Sequence, residues 1–208
     1  MKKLFLAIAA VLLVSFAGHA QQQQQQPAAS GLAKVRITGW ALSMGTTATG
    51  ANQTIQIDIN NWVPLTTRDQ LITTFMEKKQ DGLLRALQKM PEIGRWRFPG
   101  YMGPDPDNIY RLGTPIRYAN YQPGEDGGYR IVIMTDRIIT FKEQVNQPRS
   151  IDYPFTLMEM RFGKDLTGEG RMQWYTQINF DKKKELIELE NWSSEPVRLN
   201  NLKLEMRK

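Results

Sequence analysis

Apolar and polar residues alternate with a period of two along most of this chain, the signature of strands with one buried face. From Lys34 to Met44, Val35 and Ile37 share one parity and Trp40, Leu42 and Met44 the other, with Gly39 where the parity changes. A one-residue slip turns every side chain to the opposite face, so the glycine predicts a β-bulge that keeps the apolar side inward. The polar stretch GTTATGANQ then leads into a second run, where Ile55, Ile57 and Ile59 alternate with Gln56, Asp58 and Asn60. The two runs predict a hairpin.

Helical period occurs in one place. Between about residues 67 and 90, Leu71, Ile72, Phe75, Met76, Leu83, Leu87 and Met90 fall on one broad stripe, and Pro91 ends it. Thr67 and Gln70 have capping-box spacing, which predicts the start of the helix. Asp81-Gly82 predicts a break into two shorter helices, because glycine is poor in a helix interior. Such a stripe is expected to pack on a sheet.

After the helix, strand patterns recur between Gly, Pro, Asn and Asp clusters: 95–98, 115–121, 129–135, 138–143, 155–162, 172–180, 185–192 and 197–206. The run 129–134 is apolar on both parities, which predicts a central strand covered on both faces. Met172 to Phe180 alternates cleanly, and Asn200-Asn201 shifts the parity of the last strand, predicting a second bulge. Short connections favour antiparallel neighbours. The fold class expected is α+β and predominantly antiparallel β: a strongly curved sheet or barrel-like meander with one packed helical segment, or alternatively a β-sandwich.

The N-terminus changes which functions are open. Lys2 and Lys3 precede an apolar run from Leu4 to Phe16, and Gly18-His19-Ala20 places small residues at a cleavage site, so residues 1–20 are expected to be a secretory signal peptide. That run is too short to span a bilayer, and no transmembrane span is expected after cleavage. Residues 21–33, QQQQQQPAASGLA, are expected to be a disordered Gln-rich leader, and 34–208 a single β-rich domain. The destination expected is periplasmic or extracellular. The chain holds 27 Lys and Arg against 21 Asp and Glu, and removal of Lys2 and Lys3 takes the net charge from +6 to +4. A modest excess with interspersed signs suits anionic lipid or glycan surfaces, while nucleic acid is not an expected partner outside the cytoplasm.

Cysteine is absent and the only histidine is His19, inside the signal. Ser-His-Asp triads, thiol nucleophiles, histidine bases and zinc sites of the usual ligands are therefore excluded from the mature chain. No cofactor motif is present and no metal site is expected. The acidic turns GPDPDN (103–108) and GEDGG (124–128) lack the register of a calcium loop. A carboxylate-dependent secreted hydrolase survives as an alternative, with carboxylates available at Asp136, Glu143, Asp152 and Glu159 and Arg137 beside the first of them. Arg95, Trp96, Arg97, Arg117, Tyr118 and Arg130 interleave cations with aromatic rings and form the candidate ligand-binding set. A strand with one wet face around a buried tryptophan produces the same pattern.

At TDRIITFKE (135–143), SIDYPFTLMEMRF (150–162) and IELENWSSEPVRL (187–199), the chain resembles a family of uncharacterised exported bacterial proteins, over most of its length from about Leu83. The resemblance implies that Asp136-Arg137 and Tyr153-Pro154 belong to the fold's framework, and it implies no catalytic residues. The reading favoured is a non-catalytic exported protein of the cell envelope that binds an amphiphile, a glycan or an envelope protein. The alternatives are the hydrolase and a structural or assembly role.

Overall fold

The computed structural model describes residues 32–43, 52–99, 113–124, 126–137, 139, 155–173, 177–181, 186–190 and 197–208. The expected signal peptide, most of the leader, the turn at 103–108, Glu143, Asp152, Tyr153 and all of the expected strand 138–143 except Ile139 lie outside them. A unit of dense internal contact runs from Ala33 to Lys208. Its elements are β1 (Lys34–Leu42), β2 (Asn52–Ile59), α1 (Leu65–Lys89), β3 (Gly94–Arg97), β4 (Thr114–Pro123), β5 (Tyr129–Thr135), β6 (Leu157–Phe162), β7 (Thr167–Gln173), β8 (Gln177–Asp181), β9 (Leu186–Glu190) and β10 (Val197–Arg207).

β1 to β7 pair with their sequence neighbours, and β10 pairs with both β7 and β1, giving a closed antiparallel barrel; β8 and β9 form a separate two-stranded sheet. The barrel-like meander with one helical segment is thus the architecture, and the sandwich is not. Each strand turns alternate residues inward. Ile37 and Ile57, Ile133 and Met158, and Met160 and Ile131 are cross-strand partners, and all are fully buried. An eight-stranded barrel is just wide enough for side chains to fill or for one small ligand. Here the inward positions carry isoleucine, leucine, methionine, phenylalanine and tryptophan.

The two expected bulges are one irregularity, and it lies in β10. β1 runs without interruption against β2, from Val35↔Ile59 to Leu42↔Asn52. Against β10 it skips, with Thr38 opposite Lys203 but Trp40 opposite Asn200, and β10 skips again against β7 between Leu199 and Leu202. Asn201 takes the strain with φ of 52°, a left-handed conformation that asparagine tolerates better than most residues. The extra residue lets Val197, Leu199, Leu202 and Leu204 all reach the interior. Gly39 marks no switch of parity in β1. A Cβ there would sit 2.7 Å from Leu202 Cδ2 and 2.9 Å from the Asn200 carbonyl oxygen, so glycine leaves the room that Leu202 occupies. β1 keeps its alternation, Ala41 points in, and Trp40 is left on the outer wall, 43 % exposed.

A bulge in β4 between Ile116 and Tyr118 has the opposite effect, turning Tyr118 and Asn120 outward. Both are nevertheless buried, because α1 packs against β4. Asn120 Nδ2 donates to the Val63 carbonyl at 3.1 Å and the Val63 N–H donates to Ala119 at 2.9 Å, docking the segment that enters the helix. The helix begins two residues earlier than its pattern predicts, with Pro64 as N-cap and no side-chain cap, so the Thr67–Gln70 capping box does not form. Its break falls at Lys79 (φ 55°, ψ −156°), not at Asp81-Gly82. Gly82 is buried, and a Cβ there would collide with the Lys78 side chain. The glycine accommodates the kink without being its hinge.

β5 is covered on both faces only in part: Ile131, Ile133 and Met134 are buried but Val132 is half-buried. The expected strand 172–180 divides, with Met172 and Gln173 ending β7, Gln177 to Phe180 in β8, and 174–176 outside the described residues. Most of β7 escapes the alternation because its inward residues are Gly168 and Gly170. The close approach of β6 fills that space: a Cβ at Gly168 would collide with the Arg161 carbonyl oxygen and lie 2.9 Å from Phe162 Cδ1, and one at Gly170 would lie 2.6 Å from the Glu159 carbonyl oxygen and 2.7 Å from Met160 Cγ.

Replacing Gly39 with alanine is expected to cost about 1–3 kcal/mol by overpacking. Urea unfolding should show a lower midpoint with an unchanged slope; an unchanged midpoint would remove Gly39 from the account of the bulge.

Candidate functional site

The outward faces of β10, β1, β2 and β3 form a continuous wall whose side chains fall into cross-strand rows. Glu205, Arg36, Asp58 and Arg95 face one another across the four strands, so the charges alternate in sign along the row. The next row is Lys203, Thr38, Gln56 and Arg97, and beyond it lie Asn200, Trp40 and Thr54. Directly opposed charges of opposite sign stabilise a sheet by a few tenths of a kcal/mol to about 1 kcal/mol. This wall is the reverse of the outward apolar band of a membrane-spanning barrel. No helix among the described residues is long and apolar enough to cross a membrane.

Asp58 organises the wall. Its side chain is 7 % exposed, and its carboxylate accepts from Arg36 Nε at 2.7 Å and Gln56 Nε2 at 2.9 Å, with Arg207 at 3.4 Å and Arg97 at 3.5 Å. Burial pushes its pKa up, but hydrogen bonds from Arg36 and Gln56 and the charges of Arg36 and Arg207 outweigh that and hold it below the ordinary value. One carboxylate thus positions three guanidiniums, each a third or more exposed. Arg95 is paired with Glu92 at 2.6 Å.

The residues expected to bind ligand do not converge. Arg95 and Arg97 stand on this wall, whereas Trp96 between them points into the barrel, 1 % exposed, packed edge-on against Phe98 at 5.8 Å. Its Nε1–H has no hydrogen-bond partner among the described residues. Arg117 sits in the β4 bulge, donating from Nε to Asp136 at 3.0 Å and from a terminal nitrogen to the Met90 carbonyl at 3.1 Å, which ties β4 to the end of α1. Tyr118 lies under α1, and burial pushes its hydroxyl up to about 12. Arg130 pairs with Glu159 on β6.

The acidic set is similarly dispersed. Asp136 is held by Arg117 and, at 3.4 Å, by Arg137. The Arg137 carbonyl accepts from the buried hydroxyls of Thr135 and Thr156, so the turn after β5 is fastened to the start of β6. Glu159 accepts from Arg130 at 2.9 Å and Arg161 at 3.1 Å. Its burial raises its pKa, but both arginines together bring it below the ordinary value. In the turn at 124–128, the Asp126 carboxylate accepts from the Gly128 N–H at 3.1 Å. Among the described residues no group of three or more His, Cys, Asp or Glu is placed to hold a metal ion.

Trp40 is the site residue that the pattern misassigns, since parity alone places it inside. The signal that locates it outside is Gly39 opposite Leu202, which becomes visible only when β1 and β10 are paired. No protein-family model, curated protein or solved structure matches this chain.

Asp58 has a lowered folded-state pKa, so its stabilisation is present above the ordinary aspartate range and is lost as pH falls through the folded value. Discounted for the exposure of its partners, Asp58→Asn should cost about 1 kcal/mol at pH 7. That corresponds to about 2–4 °C in Tm for a domain of this size. Melts of both proteins should converge as the pH falls below the ordinary aspartate range and through the folded value. A gap that persists there would mean that packing, not charge, is what Asp58 contributes.

Proposed function

We propose that this chain is a non-catalytic exported protein of the cell envelope, related to the exported family it resembles, that binds an anionic envelope component on the wall of β10, β1, β2 and β3. The observation that carries this reading is the excess of cations there. Arg36, Arg97 and Arg207 share one carboxylate, and Lys203 stands one row away with no ion pair among the described residues. Guanidiniums held by a buried acid present their remaining donors in a fixed arrangement that suits phosphate, sulfate or carboxylate. Export rests on the N-terminal pattern.

The carboxylates count against hydrolysis. A general acid in a glycosidase needs a raised pKa and a partner carboxyl across a cleft. Asp58 and Glu159 are instead held ionised by arginines, and Asp136 is committed to Arg117 and Arg137. An amphiphile inside the barrel has one observation in its favour, the unpartnered Trp96 Nε1–H among hydrocarbon side chains. Native mass spectrometry of protein purified after expression of the full chain would reveal such a guest as added mass that is lost on denaturation.

The wall is tested by cosedimentation with isolated cell envelopes. Binding at about 0.05 M salt that falls away toward 1 M is expected, because exposed charges are screened over a few ångströms at high salt. Absence of binding at every salt concentration would overturn the reading, and release of soluble sugar that depends on Glu159 or Asp136 would replace it with the hydrolase.

A further inference from the structure

Resting on the reading that this wall binds a ligand, we infer that the ligand is an acidic glycan, with a sugar ring stacked on Trp40 and the anionic groups of neighbouring rings held by Arg97 on one side and Lys203 on the other. Trp40 is a large aromatic residue exposed on the outer wall, 43 % accessible, with its neighbouring strands in place on both sides. An indole left partly in water on the outer face of the barrel offers a broad apolar surface. The carbon-bound hydrogens of a pyranose face make the matching surface, gaining dispersion and hydrophobic burial without requiring a closed pocket.

The surroundings of the indole are polar, which separates a sugar from a lipid. Asn200 and Thr54 flank it across the strands, and Thr38 and Gln56 stand in the next row. Thr54 Oγ1 donates to the Pro99 carbonyl and Gln56 Nε2 to Asp58, so the Thr54 hydroxyl oxygen and the Gln56 amide oxygen remain as acceptors for sugar hydroxyls. A membrane-binding aromatic would instead sit among apolar neighbours that enter the acyl region. The cations lie one row from the indole, about 7 Å along the strands, and one or two strands away at about 4.8 Å per strand. That separation suits a polymer whose charge recurs along a chain of rings. Arg97 is bound to Asp58 by its weakest contact, 3.5 Å, and is the most exposed of the three arginines at that carboxylate.

The test uses protein purified after expression of the full chain, titrated calorimetrically with polygalacturonate, with neutral dextran, and with phosphatidylglycerol vesicles. Polygalacturonate should bind about tenfold or more tightly than dextran, and Trp40→Ala should weaken it by about tenfold or more with the melting temperature preserved. Trp40→Phe should retain most of the affinity, and Arg97→Gln should weaken binding and flatten its salt dependence. Equal affinity in Trp40→Ala and the parent protein, or a preference for the vesicles, would overturn the glycan assignment. If envelopes are bound but polygalacturonate is not, the assignment fails while the binding wall stands; if neither is bound, both fail.

Discussion

The pairing of β1 with β10 is the constraint on which the remainder depends. It joins the two ends of the folded unit, Lys34 with Arg207 and Leu42 with Arg198, and removes the exposed edges that an open sheet would present. Closure is possible only if β10 fits both β1 and β7 while keeping its leucines inward. The additional residue at Asn200–Leu202 meets that requirement, and the missing side chain at Gly39 meets its steric consequence. Barrel closure commonly relies on such local irregularities, which adjust register and curvature together.

A closed barrel lined with hydrocarbon has no interior place for charge, so the charged groups among the described residues are distributed over the outside. Ion pairs there gain little stability individually, since water and salt compete for them. Their arrangement matters more for recognition. Asp58, Asp136 and Glu159 each hold at least two arginines, leaving positive donors with fixed positions in three separate places. Of these, the Asp58 cluster adjoins an exposed aromatic ring, and this combination distinguishes it from an ordinary solvated strand face.

Burial determines why the arginine and aromatic residues that alternate in sequence do not form one site. Arg95 and Arg97 remain on the wall because they straddle an inward Trp96, the arrangement that a half-wet strand produces. Arg117 and Tyr118 are adjacent at a bulge, yet one reaches the end of α1 and the other is covered by it. Sequence neighbours on a strand point to opposite faces, whereas residues far apart meet across strands, as Trp40 and Thr54 do beside Asn200.

Hydrophobic periodicity and short connections by themselves determined the antiparallel β class, the position of most strands, the one segment of helical period and the shift at Asn200-Asn201. These follow from local geometry: the face a residue takes is set by its place in the strand, and burial of one face demands the pattern. The sequence also limited the chemistry through its missing cysteine and its single histidine, His19. Only the tertiary structure decided closure, the kink at Lys79, the hidden strand around Gly168 and Gly170, and the outward position of Trp40. Closure, the hidden strand and the outward Trp40 each depend on what a distant element supplies: β6 fills the space of two glycines, and Leu202 fills that of Gly39. A vacancy in one strand and its filler in another leave no periodic trace in either, so their relation exists only once the strands are paired.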